Sequence, residues 1–85
     1  MNKTVTELTK RKYVFATLSS PTTYLVSQHW GRWCFTDNLE IATKAISRNV
    51  AEIILGNYYH DLGHDIPLVI VPIEIEYKLI NEVND

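Results

Sequence analysis

The chain holds one cysteine, Cys34, with three glycines and three prolines in 85 residues. A single cysteine excludes an intramolecular disulfide, and nothing calls for an oxidising compartment, so a reduced, cytoplasmic setting is expected. The glycines stand far apart, which excludes a Gly-rich loop that cradles phosphate, and no serine stands in a nucleophile-elbow context. Long apolar runs are missing too. The longest, Ile66 to Ile73, contains two prolines and falls well short of the roughly 20 residues a membrane-spanning helix needs. Met1 to Leu8 has no apolar run, so no secretory leader is expected. Neither sign of charge dominates: eight basic residues face ten acidic ones, a net charge of −2. That balance gives no electrostatic reason for a polyanionic partner, and Lys10-Arg11-Lys12 is the local exception.

What remains is a chain that is 46% hydrophobic and 21% charged, enough for one small domain with a modest core. Residues 1–11, polar and Thr-rich, read as a flexible N-terminal arm. Residues 12–80 read as a single α+β domain and 81–85 as a frayed tail. Lys12 to Leu18 is β-branched and aromatic and reads as a strand. Ser19-Ser20-Pro21-Thr22 is a turn, and Thr23 to Trp30 a second strand. Asp37-Asn38 opens a helical segment over 38–59, with Leu39, Ala42 and Ile46 at helical spacing. Ser47 is a second N-cap that would divide the segment into 38–46 and 48–59. Its second part carries an apolar stripe of Val50, Ile53, Ile54 and Tyr58. Gly63 is the expected helix stop.

The last strand alternates from Pro72, with Ile73, Ile75, Tyr77 and Leu79 on one face and Glu74, Glu76 and Lys78 on the other. Thirteen residues from Leu68 span about 43 Å, more than the width of a domain this size. The strand therefore bends at Pro72 or pairs its second half outside the domain. The expected fold is α+β, a small antiparallel sheet in the order β-β-β-α-β with the helical segment packed on one face.

Both tryptophans fall in Trp30-Gly31-Arg32-Trp33. Gly31-Arg32 suits a two-residue type II′ turn, which would set Trp30 opposite Trp33 and His29 opposite Cys34. In that register Tyr24, Val26, Trp30, Trp33 and Phe35 share a face and bury against the helix. Arg32 and part of one indole are left for recognition.

Four candidate chemistries follow. His60 and His64 are spaced to share a helix face and chelate a metal, but Gly63 between them and Pro67 after them favour a solvated loop. Cys34 with His29 is a thiol–imidazole pair lacking an oxyanion donor or an orienting third group, so a small buried thiol is favoured. Lys10-Arg11-Lys12 with Tyr13, Tyr24, Trp30, Arg32 and Trp33 is a candidate single-strand nucleic-acid face. Its bland counterpart is an aromatic core. Finally, Ile73 to Tyr77, if it is a sheet edge, suits β-augmentation by a target or by its own copy in a homodimer. No catalytic constellation and no cofactor motif is found.

The stretch Trp33-Cys34-Phe35-Thr36-Asp37-Asn38-Leu39-Glu40-Ile41-Ala42-Thr43-Lys44 resembles small proteins encoded by bacteriophages of Gram-positive bacteria. Ala51-Glu52-Ile53-Ile54-Leu55 and Val69-Ile70-Val71-Pro72-Ile73 are similar as well. The resemblance covers roughly residues 12–80. It implies a phage or mobile-element origin, no enzymatic activity and no catalytic residues. Small phage proteins commonly bind and redirect a host protein, defence nucleases included, as the anti-CRISPR proteins do. The expected function is therefore a non-enzymatic module that binds an unidentified host protein in the bacterial cytoplasm through Trp30, Arg32, Trp33, Ile73, Ile75 and Tyr77. The alternatives are the nucleic-acid face and a metal site at His60 and His64.

Overall fold

The protein is described by a computed structural model covering residues 4–28 and 32–81, with side chains over 10–27 and 32–77. Four strands and one helix follow in the order β1 (Thr4–Thr17), β2 (Tyr24–Gln28), β3 (Arg32–Thr36), α1 (Arg48–Leu62) and β4 (Leu68–Asn81). The sheet is antiparallel with strand order β3-β2-β1-β4. This is the α+β arrangement that the sequence predicts.

The largest difference lies at the N-terminus. Thr4 to Arg11, read as a flexible arm, is the first half of β1. It pairs along its whole length with β4, from Thr4↔Asn81 to Thr17↔Leu68. Thr4, Val5, Thr6 and Thr9 are β-branched, the composition that fits a pleated strand. The length problem of β4 is thereby solved within the chain: its second half finds a partner in β1.

Pro72 interrupts nothing. The N–H and C=O of Tyr13 both bond Ala45, at 3.0 and 2.8 Å, so Tyr13 aims its backbone away from β4. Antiparallel pairs alternate between bonded and non-bonded. Pro72, opposite Tyr13, therefore stands in a non-bonded pair, where a missing donor removes no ladder bond.

Beyond Ala16↔Tyr24, β1 and β2 diverge, and the chain between β3 and α1 fills the gap. Thr43 donates its N–H to Leu25 O at 3.1 Å and accepts the Ser27 N–H on its hydroxyl at 2.7 Å, while Ala45 bonds Tyr13. This corrects the helix expected at 38–46. Asn38 does cap locally, its Oδ1 accepting from Glu40 N and its carbonyl from Ile41 N. The turn ends there, because the next backbone donors are recruited by two strands.

α1 begins where the second N-cap was expected: Ser47 Oγ accepts the Val50 N–H at 3.2 Å. It ends at Gly63, whose φ of 75° only glycine adopts freely and whose N–H bonds Tyr59 O. Its buried face is Ala51 and Tyr58 with Val50, Ile54, Leu55 and Tyr59 alongside, packed on Phe15, Leu25 and Leu68. Ile53, assigned to the buried stripe, is 64% exposed. It lies off the face centred on Ala51 and Tyr58.

The β2–β3 register also differs. Gln28 pairs with Arg32, Ser27 with Trp33, and Val26 with Cys34. The expected Gly31-Arg32 turn assumed Trp30 opposite Trp33. His29, Trp30 and Gly31 lie outside the described residues, but Arg32 is strand, not turn tip. A shift of three residues exchanges faces. Trp33, Phe35 and Leu25 now face the helix, while Tyr24, Val26 and Cys34 occupy the opposite face.

Candidate protein-interaction surface

The six residues expected to bind a partner do not form one site. Trp30 lies outside the described residues. Arg32 and Trp33 belong to β3 at one edge of the sheet, and Ile73, Ile75 and Tyr77 to β4 at the other. Between them run β2 and β1.

Trp33 is held by the core. Its ring meets Tyr58 edge-on with centroids 5.7 Å apart, and its Nε1–H donates to Asp61 Oδ2 at 2.9 Å. Phe35 and Tyr59 add further edge contacts to Tyr58, at 6.3 and 5.3 Å. The indole is thus a clamp between β3 and the last turn of α1. Arg32, next to it, is exposed.

The His60 and His64 pair does not share a helix face, because α1 ends at Leu62. His64 instead stacks on Tyr59, centroids 4.2 Å apart and planes within 13°. Among the described residues no group of three or more metal-type ligands comes together. Cys34 is half-buried and pairs with Val26, so the register places an aliphatic side chain, not His29, across from the thiol. The basic triplet is divided by the pleat: Arg11 stands opposite Glu74, with an exposed 3.9 Å ion pair, while Lys10 and Lys12 stand opposite Ile75 and Ile73.

At the β4 edge the expected alternation is present. Ile73 and Ile75 are half-buried, Glu74 and Glu76 exposed, and Tyr77 is 50% exposed. A groove of about 480 Å³ runs between this strand and the 37–46 connector, which contributes Leu39, Glu40 and Lys44. Lys44 Nζ donates to the carbonyls of Glu40 and Ala42 at 2.8 and 3.0 Å, tying the connector into a fixed wall. The groove therefore has apolar groups from Ile73, Ile75, Tyr77 and Leu39, and charge of both signs at its rim. That composition suits a protein segment better than a polyanion. The sequence identified the β4 residues by their alternation. The spacing of Leu39, Glu40 and Lys44 suits a helix, and no local signal places them beside β4.

No family model, curated protein or solved structure matches the chain. No helix among the described residues is long and apolar enough to cross a membrane.

Proposed function

We propose that the chain is a non-enzymatic binding module that engages another protein through the groove and edge of β4. The observation that carries this reading is the placement of Ile73 to Tyr77 on an edge strand, beside a groove walled by Leu39 and Lys44. An edge strand offers main-chain donors and acceptors for affinity, and alternate side chains beside it give specificity. The further steps, that the chain comes from a phage or mobile element and that its partner is a host protein, rest on the sequence resemblance alone. A nucleic-acid face gains little: Trp33 is engaged with Asp61 and Tyr58, and Arg11 with Glu74.

The test is affinity capture from bacterial lysate with the wild-type chain and a Leu39→Glu variant, read by mass spectrometry. Leu39 is 37% exposed and lies outside the sheet, so its replacement alters the groove and leaves the strands intact. A specific partner recovered by the wild type and reduced roughly tenfold or more by the variant is expected. Equal recovery by both, or no specific partner, contradicts the reading.

A further inference from the structure

We infer that the outer edge of β4 pairs antiparallel with β4 of a second copy, in the register that sets Tyr77 opposite its own counterpart. The inference rests on the reading of β4 as a pairing edge and names one occupant of it.

The need for a partner comes from the ribbon. N-terminal to Tyr13, β1 has β4 as its strand neighbour, while β2 meets β1 at Ala16 and the connector meets it at Tyr13. Among the described residues, 4–12 with 73–81 are thus a two-stranded ribbon. Such ribbons are marginal in water on their own, and three or more strands give independent stability.

Three constraints, with the length of strand they leave to pair, select the register. First, Pro72 aims away from β1, and so do Glu74 and every second residue after it. A ladder on the outer edge must therefore join even-numbered positions to even-numbered positions. Second, Pro72 offers no outward donor, so the paired stretch lies C-terminal to it. Third, like charges must not face each other. A two-fold axis at position 74 or 76 sets a glutamate on its own copy, one at 75 sets Glu74 against Glu76, and one at 78 sets Lys78 on itself.

An axis at Tyr77 meets all three and pairs nine positions of each strand, where one at 79 pairs only 77 to 81. The Tyr77 axis pairs positions 73 to 81 with 81 to 73, excludes Pro72, and sets Glu76 opposite Lys78 of the second copy. Glu76 also interacts within its own chain, and the new pair adds to that.

The geometry is closed. Opposite residues share a face, so Tyr77 meets its counterpart, and position 75 meets 79, on the groove side of both copies. The two helical bodies lie at opposite ends, and two marginal ribbons become a four-stranded section in an eight-stranded sheet. The interface is isologous and stops at two copies.

The test uses the full chain. Light scattering over a range of concentrations should show a mass twice the 9.8 kDa of one chain. In a Cys34→Ser background, Tyr77→Cys should link covalently under mild oxidation, because a non-bonded antiparallel pair brings Cα atoms within about 4.5 Å. Ile75→Cys should not, since its two copies stand four residues apart, about 14 Å. Glu76→Lys should weaken self-association roughly tenfold, and adding Lys78→Glu should restore it. A monomeric mass at every concentration overturns the inference, as does linkage at position 75 equal to that at 77, or failure of the double charge reversal to restore association. A monomer would leave the Leu39→Glu capture test standing. A dimer that captures nothing would overturn the proposed function and leave the self-pairing intact.

Discussion

The Tyr58 hydroxyl donates to Ile66 O at 2.8 Å while its buried ring takes the edges of Trp33, Phe35 and Tyr59. One side chain so joins α1, β3 and the approach to β4. Tyr58→Phe keeps the ring contacts and strands a carbonyl, which should cost about 1–2 kcal/mol in urea unfolding. Burial, with Tyr59 second, raises the Tyr58 phenol above its ordinary value. Its neutral form is the one the fold favours. The stability linked to it is complete below about pH 10, the unfolded value, and is lost as pH rises through the higher folded value. Urea titrations across that range should show a decline that Tyr58→Phe makes shallower. Thr17 is a second such position, buried, with its hydroxyl within hydrogen-bond reach of Ser19 Oγ, Thr23 Oγ1 and the Thr23 backbone. Thr17→Val should cost about 1–3 kcal/mol by loosening the β1–β2 connection.

Among the elements, β4 and α1 were legible because their signals are local. Alternation marks Ile73 to Tyr77, and Ser47 and Gly63 bracket the helix. Ser47→Ala should cost about 1 kcal/mol, measured by thermal or urea unfolding. The 37–46 connector was not legible. Asn38 and the spacing of Leu39, Ala42 and Ile46 suit a helix, and only the divergence of β1 and β2 turns Thr43 and Ala45 into strand-like partners. The first half of β1 is hidden for a different reason. Its β-branched residues suit a strand, but its polar composition suits an arm, and only the unpaired length of β4 calls for it. The hairpin register is not legible because Gly31-Arg32 suits a two-residue turn, whereas the pairing of Gln28 with Arg32 leaves three residues between the strands. Pro72 offers an element-scale test of the corrected ladder. Pro72→Ala should leave stability within about 0.5 kcal/mol. Ile73→Pro, one residue on, removes a donor from the bonded pair with Lys12 and should cost about 1–3 kcal/mol or more.

For the whole molecule, the two ends of the sheet differ in kind. At β3 the aromatic residues are drawn inward by Tyr58 and Asp61, and the site expected around Trp33 becomes part of the fold. At β4 the apolar residues stay half-open beside a groove, on a strand longer than the body that supports it. The sequence signalled both clusters by the same token, aromatic and β-branched density. Only the strand order separates them. Amide hydrogen exchange by NMR on the full chain, from high to low concentration, tests the claim that β4 is bonded inward to β1 and open to pairing outward. The Ile73 and Ile75 amides, bonded to β1, should be the better protected at every concentration, and most strongly where the mass is doubled. The Glu74 amide, aimed outward, should be protected only where the mass is doubled, and should exchange fast on dilution. Protection of Glu74 that persists in the dilute monomer, or exchange at Ile75 as fast as at Glu74 where the mass is doubled, would contradict it.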